Sequence, residues 1–183
     1  MPATGNTSSA TGVARLHHNA WVTRDQEATR QFYEDLIGLP LIATWSETDE
    51  LFGAERVYCH TFFGLADGSA LAFFQFADPK DQELFGPTMP ESPFSHIALK
   101  VDSALQSGVE QSLAEAGYTE PATFILEHGY CRSLYVRDPN GLLVELTVDH
   151  PDADAINALR ATSAHADLAN WLNGDHTSNN TFR

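Results

Sequence analysis

One pattern occurs twice in this chain and constrains its fold more than any other feature. A short apolar run meets an aspartate, a helical stripe follows, and a glycine ends it. In the first copy Leu16 to Val22 reads as a strand and Asp25 as a helix N-cap, with Glu27 in the first turn. Ala28, Phe32 and Leu36 recur at helical spacing, and Gly38 supplies a left-handed stop. In the second copy Phe94 to Val101 is the strand, Asp102 the cap, Leu105, Val109 and Leu113 the stripe, and Gly117 the stop.

After each helix the sequence turns β-rich. The first half offers strands over Leu39–Glu47, Arg56–Phe63 and Ser69–Phe76, with Ala-Asp-Gly at 66–68 as a turn. The second offers Ala122–Glu127, Ser133–Arg137 and Leu142–Val148, with Asp138-Pro139-Asn140-Gly141 as the turn between the last two. Each half is therefore expected to be a βαβββ module, and the fold class is α+β, two modules paired into a curved, cup-shaped mixed sheet.

Boundaries follow from composition. Residues 1–14 carry neither a basic cluster nor an apolar core of a secretory signal and are expected to be a mobile tail. Module one spans 15–77 and module two 93–149. The intervening 78–92, part of a stretch (77–93) with four prolines and several acids, suits an exposed linker rather than an element. Residues 150–183 place Ile156, Leu159, Leu168, Trp171 and Leu172 at loose helical spacing, which predicts a C-terminal extension of one or two helices. These would cover an open sheet edge or build a dimer contact.

Charge narrows the partners. Acids outnumber bases 25 to 10, for a formal charge of -15, and this opposes a phosphate backbone. No apolar run approaches the roughly 20 residues of a membrane span. The expected setting is the cytoplasm, with a small-molecule substrate, no nucleic acid, no membrane and a homodimer. Cys59 and Cys131 lack metal-type spacing and are expected to be buried thiols.

Polar residues interrupt otherwise apolar strands at four places: His17, His18, His96 and Glu145. A carboxylate within Leu-Leu-Val-Glu-Leu-Thr is costly to bury unless a cation or hydrogen bonds meet it. His18 precedes its cap Asp25 by seven residues and His96 precedes Asp102 by six, so the repeat puts both imidazoles at equivalent places. Two imidazoles and one carboxylate form a set that suits Fe(II), Mn(II) or Zn(II) and leaves positions open for substrate.

The strings HNAWVTRDQEATRQFYEDLIGLPL, SHIALKV and SLYVRDPNGLLVELT resemble the vicinal oxygen chelate superfamily, which contains glyoxalases, bleomycin-resistance proteins and extradiol dioxygenases, over residues 15–149. The resemblance implies one divalent metal held by His18, His96 and Glu145. His17 competes for the first position, but the family's spacing to the acidic cap selects His18, and strand alternation points the two in opposite directions. The glyoxalase branch implies a fourth ligand, for which Gln75 is the candidate; separately, His60 lies on the third strand of the first module, where an inward imidazole could serve as an extra ligand or contact substrate. The dioxygenase branch implies Tyr135 and His128 as catalytic residues, one hydrogen-bonding bound oxygen and the other moving a proton. The implied activity is a dioxygenase acting on a catechol- or hydroquinone-like substrate with Fe(II), and Mn(II), Zn(II) or Ni(II) as other metals. The rival readings are a glyoxalase-like isomerase or lyase and a bleomycin-resistance-type binding protein.

Overall fold

The structure, a computed structural model, describes residues 13–86, 88–89 and 92–182. The expected N-terminal tail lies outside the described residues except for 13 and 14. By internal contacts the chain divides into two compact units, Met1–Asp35 with Leu39–Pro87, and Leu36–Gly38 with Thr88–Arg183. Each contains one copy of the repeat, except that Leu36–Gly38, which end the first copy's helix, are grouped with the second unit.

The first unit runs β1 (His18–Val22), α1 (Gln26–Arg30), β2 (Leu41–Leu51), β3 (Ala54–Gly64), β4 (Ala70–Phe76) and α2 (Pro79–Phe85). Asp25 caps α1 by accepting from the Ala28 amide at 2.9 Å, and the helix continues as a π turn over Gln31–Leu36. The sheet order is β1-β4-β3-β2, with β1 parallel to β4 and the other pairs antiparallel. One face carries the core, where Tyr33, Phe63 and Phe73 are fully buried with ring centroids 4.9 to 5.9 Å apart. Gln26 ties the helix to the sheet, because its Nε2 donates to the Phe73 carbonyl at 3.1 Å.

Two expectations are corrected here. The residues between the predicted second and third strands are not a loop: β2 and β3 extend to a two-residue turn at Phe52 and Gly53, with φ of 53° and 80°. Two positive φ values match the twist of a tight hairpin, and the run Thr48-Asp49-Glu50 is tolerated because β2 is the sheet's edge, where charge discourages pairing with another chain. Nor is 78–92 a bare linker. Asp78 accepts from the Lys80 amide at 2.7 Å and Pro79 pre-sets the first helical φ, so α2 forms despite the later prolines.

The second unit runs β5 (His96–Lys100), α3 (Ser103–Glu115), β6 (Thr123–Glu127), β7 (Cys131–Arg137), β8 (Leu143–Asp149) and α4 (Ala153–Leu172). Its sheet order, β5-β8-β7-β6 with β5 parallel to β8, repeats that of the first unit. Alternation sorts β8 in two: Val144 and Leu146 belong to the face covered by α3, whose Val109 and Leu113 are buried, while Leu143, Glu145 and Thr147 belong to the other. Gln106, 2% exposed, plays the part of Gln26 by donating to the carbonyls of Leu146 at 2.6 Å and Arg132 at 3.0 Å. In both units a helical glutamine thus pins the last strand of the module.

Asp102 caps α3 through the Leu105 amide at 2.8 Å. Asp102→Ala is expected to cost about 1 kcal/mol, read as a fall in melting temperature of roughly 2–4 °C. An unchanged thermal transition would show that the cap carries no weight.

The C-terminal extension is one helix, of which only Ala153 and Ile156 are buried. Cys59 and Cys131 are free and half-buried, not fully buried as expected, Cys131 because it opens β7.

Candidate metal centre

In the second unit the parallel register sets Ala98 opposite Glu145 and His96 opposite Leu143, so His96 and Glu145 are diagonal neighbours on one face. His96 Nε2 lies 3.0 Å from Glu145 Oε2, and the Glu145 side chain is only 8% exposed. The other carboxylate oxygen, Oε1, accepts from Thr147 Oγ1 at 2.9 Å, and Ser133 Oγ stands 3.2 Å from that hydroxyl. Burial raises the Glu145 pKa, but hydrogen bonds from Ser133, Thr147 and Tyr135 and the nearby His96 outweigh it and hold the carboxyl below its ordinary value. Glu145 is therefore a carboxylate at neutral pH, with one oxygen anchored and one turned to an imidazole.

Donor chemistry and spacing fit a divalent cation. Two neighbouring ligands at about 2.1 Å from a metal and at a right angle lie about 3.0 Å apart. Among the described residues no group of three or more His, Cys, Asp or Glu side chains stands together in a way that could hold a metal ion. His96 and Glu145 are two donors, not a complete set.

Tyr135 follows on the same face of β7, opposite Glu145 in register. Its ring stacks on Phe124 at 4.8 Å and 10° and meets His96 edge-on at 5.8 Å. Its hydroxyl lies 3.2 Å from His128 Nε2. Burial, followed by the bond to Glu145, pushes the Tyr135 phenol up to about 12. The protonated phenol is thus favoured by folding, and this contribution is present below pH about 10 and lost as pH rises towards about 12. Ultraviolet titration of phenolate is expected to show a step near pH 12 that Tyr135→Phe removes; a missing step near pH 10 instead would contradict the burial argument.

The first unit repeats the frame with different chemistry. His18 pairs with Ala70 and Ala20 with Ala72, so the register counterpart of Glu145 is Ala72, which has no donor. His17 precedes β1, so strand alternation does not part the two rings as expected and its Nδ1 lies 2.8 Å from His18 Nδ1; the His18 ring is 5.6 Å from Phe62 and 6.4 Å from His60. His60 stacks on Phe74 at 3.6 Å, and its buried Nε2 has no hydrogen-bond partner among the described residues. Burial lowers the His60 pKa, with Glu47 opposing and His18 assisting, so the ring is neutral. An orphaned buried nitrogen is costly and marks a place where a ligand group can bond.

Gln75 is directed elsewhere. It pairs with Cys59 on the strand face opposite to His60 and Phe74, and its Nε2 donates to the Arg24 carbonyl at 3.0 Å. Its reading as an additional ligand is corrected by this register, since residue type suggested a donor but the count along β4 gives the wrong parity. Thr147, Ser133 and Phe124 were not singled out in the sequence, although Thr147, two residues past Glu145, was reachable by strand alternation.

A cavity of about 340 Å³ opens against Glu145, with Ala98, Lys100, Thr147 and Ile156 among its walls. The Lys100 ammonium is already answered by Asp149 at 2.6 Å.

Two repeated four-stranded mixed sheets with helices define a class of α+β proteins built from a duplicated module. The chain belongs to the glyoxalase/bleomycin resistance protein/dioxygenase superfamily, whose family model matches residues 15–146. Among solved structures it is similar to a glyoxylase/bleomycin resistance protein/dioxygenase domain from Frankia sp. EAN1pec, at 19% identity and a TM-score of 0.53, covering 78% of this chain and 95% of that one. It is also similar to the fosfomycin resistance protein FosX from Listeria monocytogenes, complexed with Mn(II) and sulfate, at 19% identity and a TM-score of 0.54, covering 79% and 99%. FosX from Mesorhizobium loti gives 19% identity, a TM-score of 0.52 and the same coverage. No curated protein matches the chain. No helix among the described residues is long and apolar enough to cross a membrane.

Proposed function

We propose that the chain is an Fe(II)-dependent dioxygenase acting on a catechol- or hydroquinone-like small molecule, with His18, His96 and Glu145 as metal ligands and a homodimer as the working assembly. The observation that carries this reading is the hydrogen-bonded pair of Tyr135 and His128 beside His96 and Glu145. A metal pair alone requires no imidazole–phenol neighbour, whereas deprotonating a hydroxyl and handling the proton does. The metal, when bound, would supply acidity to a coordinated diol and redox capacity toward oxygen.

The chain's own groups have separable parts in that chemistry. Thr147 fixes one oxygen of Glu145 and thereby orients the other. Tyr135, a phenol throughout the neutral range, donates a hydrogen bond to an oxygen at the reacting centre. His128 Nε2 takes the substrate proton, directly or through the Tyr135 hydroxyl. In the first unit His60 offers its orphaned Nε2 to the substrate. Ala72 argues against a four-ligand, glyoxalase-like site, because the register counterpart of Glu145 has no donor atom.

The test is anaerobic reconstitution with Fe(II), followed by oxygen uptake with a panel of catechols and hydroquinones. Uptake with ring-cleaved or oxygenated product supports the reading, and no uptake by any of them overturns it. Full turnover with Zn(II) in the absence of oxygen would point to a lyase or isomerase instead.

A further inference from the structure

The cavity against Glu145 continues outward. A second cavity, of about 420 Å³, is walled by Tyr130, Ile156 and Asn157, all of which also line the first, and by Arg160, Asn180 and Phe182. Helical spacing explains the continuity, because Arg160 stands one turn, about 5.4 Å, beyond Ile156 and Asn157 on α4. The chain then turns back after α4 at Gly174, φ 89°, and the returning segment closes around that arginine. Arg160 donates to the Asn179 carbonyl, its guanidinium lies 5.8 Å from the Phe182 ring, and Asn180 Nδ2 donates to the His128 carbonyl at 3.3 Å. One short segment therefore touches both the outer cavity and the backbone of His128.

Arg30, Arg56, Arg132 and Lys100 are ion-paired, whereas Arg160, like Arg15, Arg24, Lys80 and Arg137, has no ion pair among the described residues, and Arg160 lines the outer cavity. A guanidinium has five donors in a planar fork that matches a carboxylate, and only part of this capacity is used by Asn179. Arg160 and the returning segment also lie past residue 146, beyond the stretch that the superfamily model matches.

We infer that the two cavities form one elongated site, and that the substrate is an aromatic diol carrying a carboxylate on a side chain, which Arg160 binds. The diol end rests on the function proposed above, while the carboxylate end rests on Arg160 and the outer cavity alone. The acidic surface disfavours anions in general, so the paired guanidinium and carboxylate would also select among aromatic diols.

Calorimetric titration of the full chain, loaded with Mn(II) under nitrogen, separates the two ends with three probes: catechol, phenylpropionate, and a dihydroxyphenylpropionate with adjacent hydroxyls. The dihydroxyphenylpropionate is expected to bind roughly tenfold or more tightly than catechol, as one charge-assisted contact implies. Arg160→Gln should bring it down to the level of catechol and leave catechol itself unchanged, with Arg160→Lys in between. Equal binding of the two diols by the unsubstituted protein, or an equal loss of both in Arg160→Gln, would overturn the carboxylate site. If neither diol binds while phenylpropionate binds in an Arg160-dependent way, the diol reading fails and the carboxylate site stands.

Discussion

Glu145→Gln is expected to abolish stable metal binding, with a loss of affinity well beyond the roughly 10–100-fold that removal of an outer hydrogen-bond partner costs. The substitution keeps shape and volume on β8 and removes the negative charge. Glu145 is 6% exposed, and its oxygens are already placed, one on Thr147 and one facing His96. Folding has therefore met the cost of positioning the carboxylate, and the neutral amide retains the position without the charge that holds a cation. Metal analysis after dialysis, with Mn(II) binding followed by electron paramagnetic resonance, reads the effect. Circular dichroism like that of the parent protein would show that the sheet survives. Retention of stoichiometric metal by Glu145→Gln would remove Glu145 from the centre.

His128→Gln is expected to lower turnover by roughly 10²–10⁴-fold, the span usual for a general acid or base, while metal content stays unchanged. The geometry separates the two roles: His128 reaches the Tyr135 hydroxyl at 3.2 Å, and no bond joins it to His96 or Glu145 among the described residues. Tyr135→Phe should reduce turnover by a smaller factor, because the ring packing on Phe124 remains and only the hydroxyl is lost. The discriminating measurement is oxygen uptake at saturating catechol, paired with the metal content of each variant. Parallel loss of metal and turnover in His128→Gln would make the residue structural.

Much of this arrangement can be read along the chain because its determinants are local. Asp25 and Asp102 each cap a helix within three residues, and a histidine or glutamate in an apolar strand announces itself without reference to anything distant. Register is different. Whether Gln75 or Ala72 faces the same way as His18 depends on which residue of β1 meets which residue of β4, about fifty positions away, and one step reverses the face. The helix at Pro79 had its local signal in Asp78, obscured by the prolines that follow. The closure of the tail on Arg160 joins residues nineteen apart across a helix and a turn, a tertiary contact that no periodicity encodes.

The methyl group of Ala72 has a further meaning. The two halves share strand order and a glutamine clamp, yet only one contributes a formal negative charge at the matching position. In the proposed centre a dication held by His18, His96 and Glu145 would keep a net charge of plus one. That surplus would favour an anionic guest over water and would help a weakly acidic hydroxyl lose its proton near neutrality, an effect that a second carboxylate at position 72 would cancel.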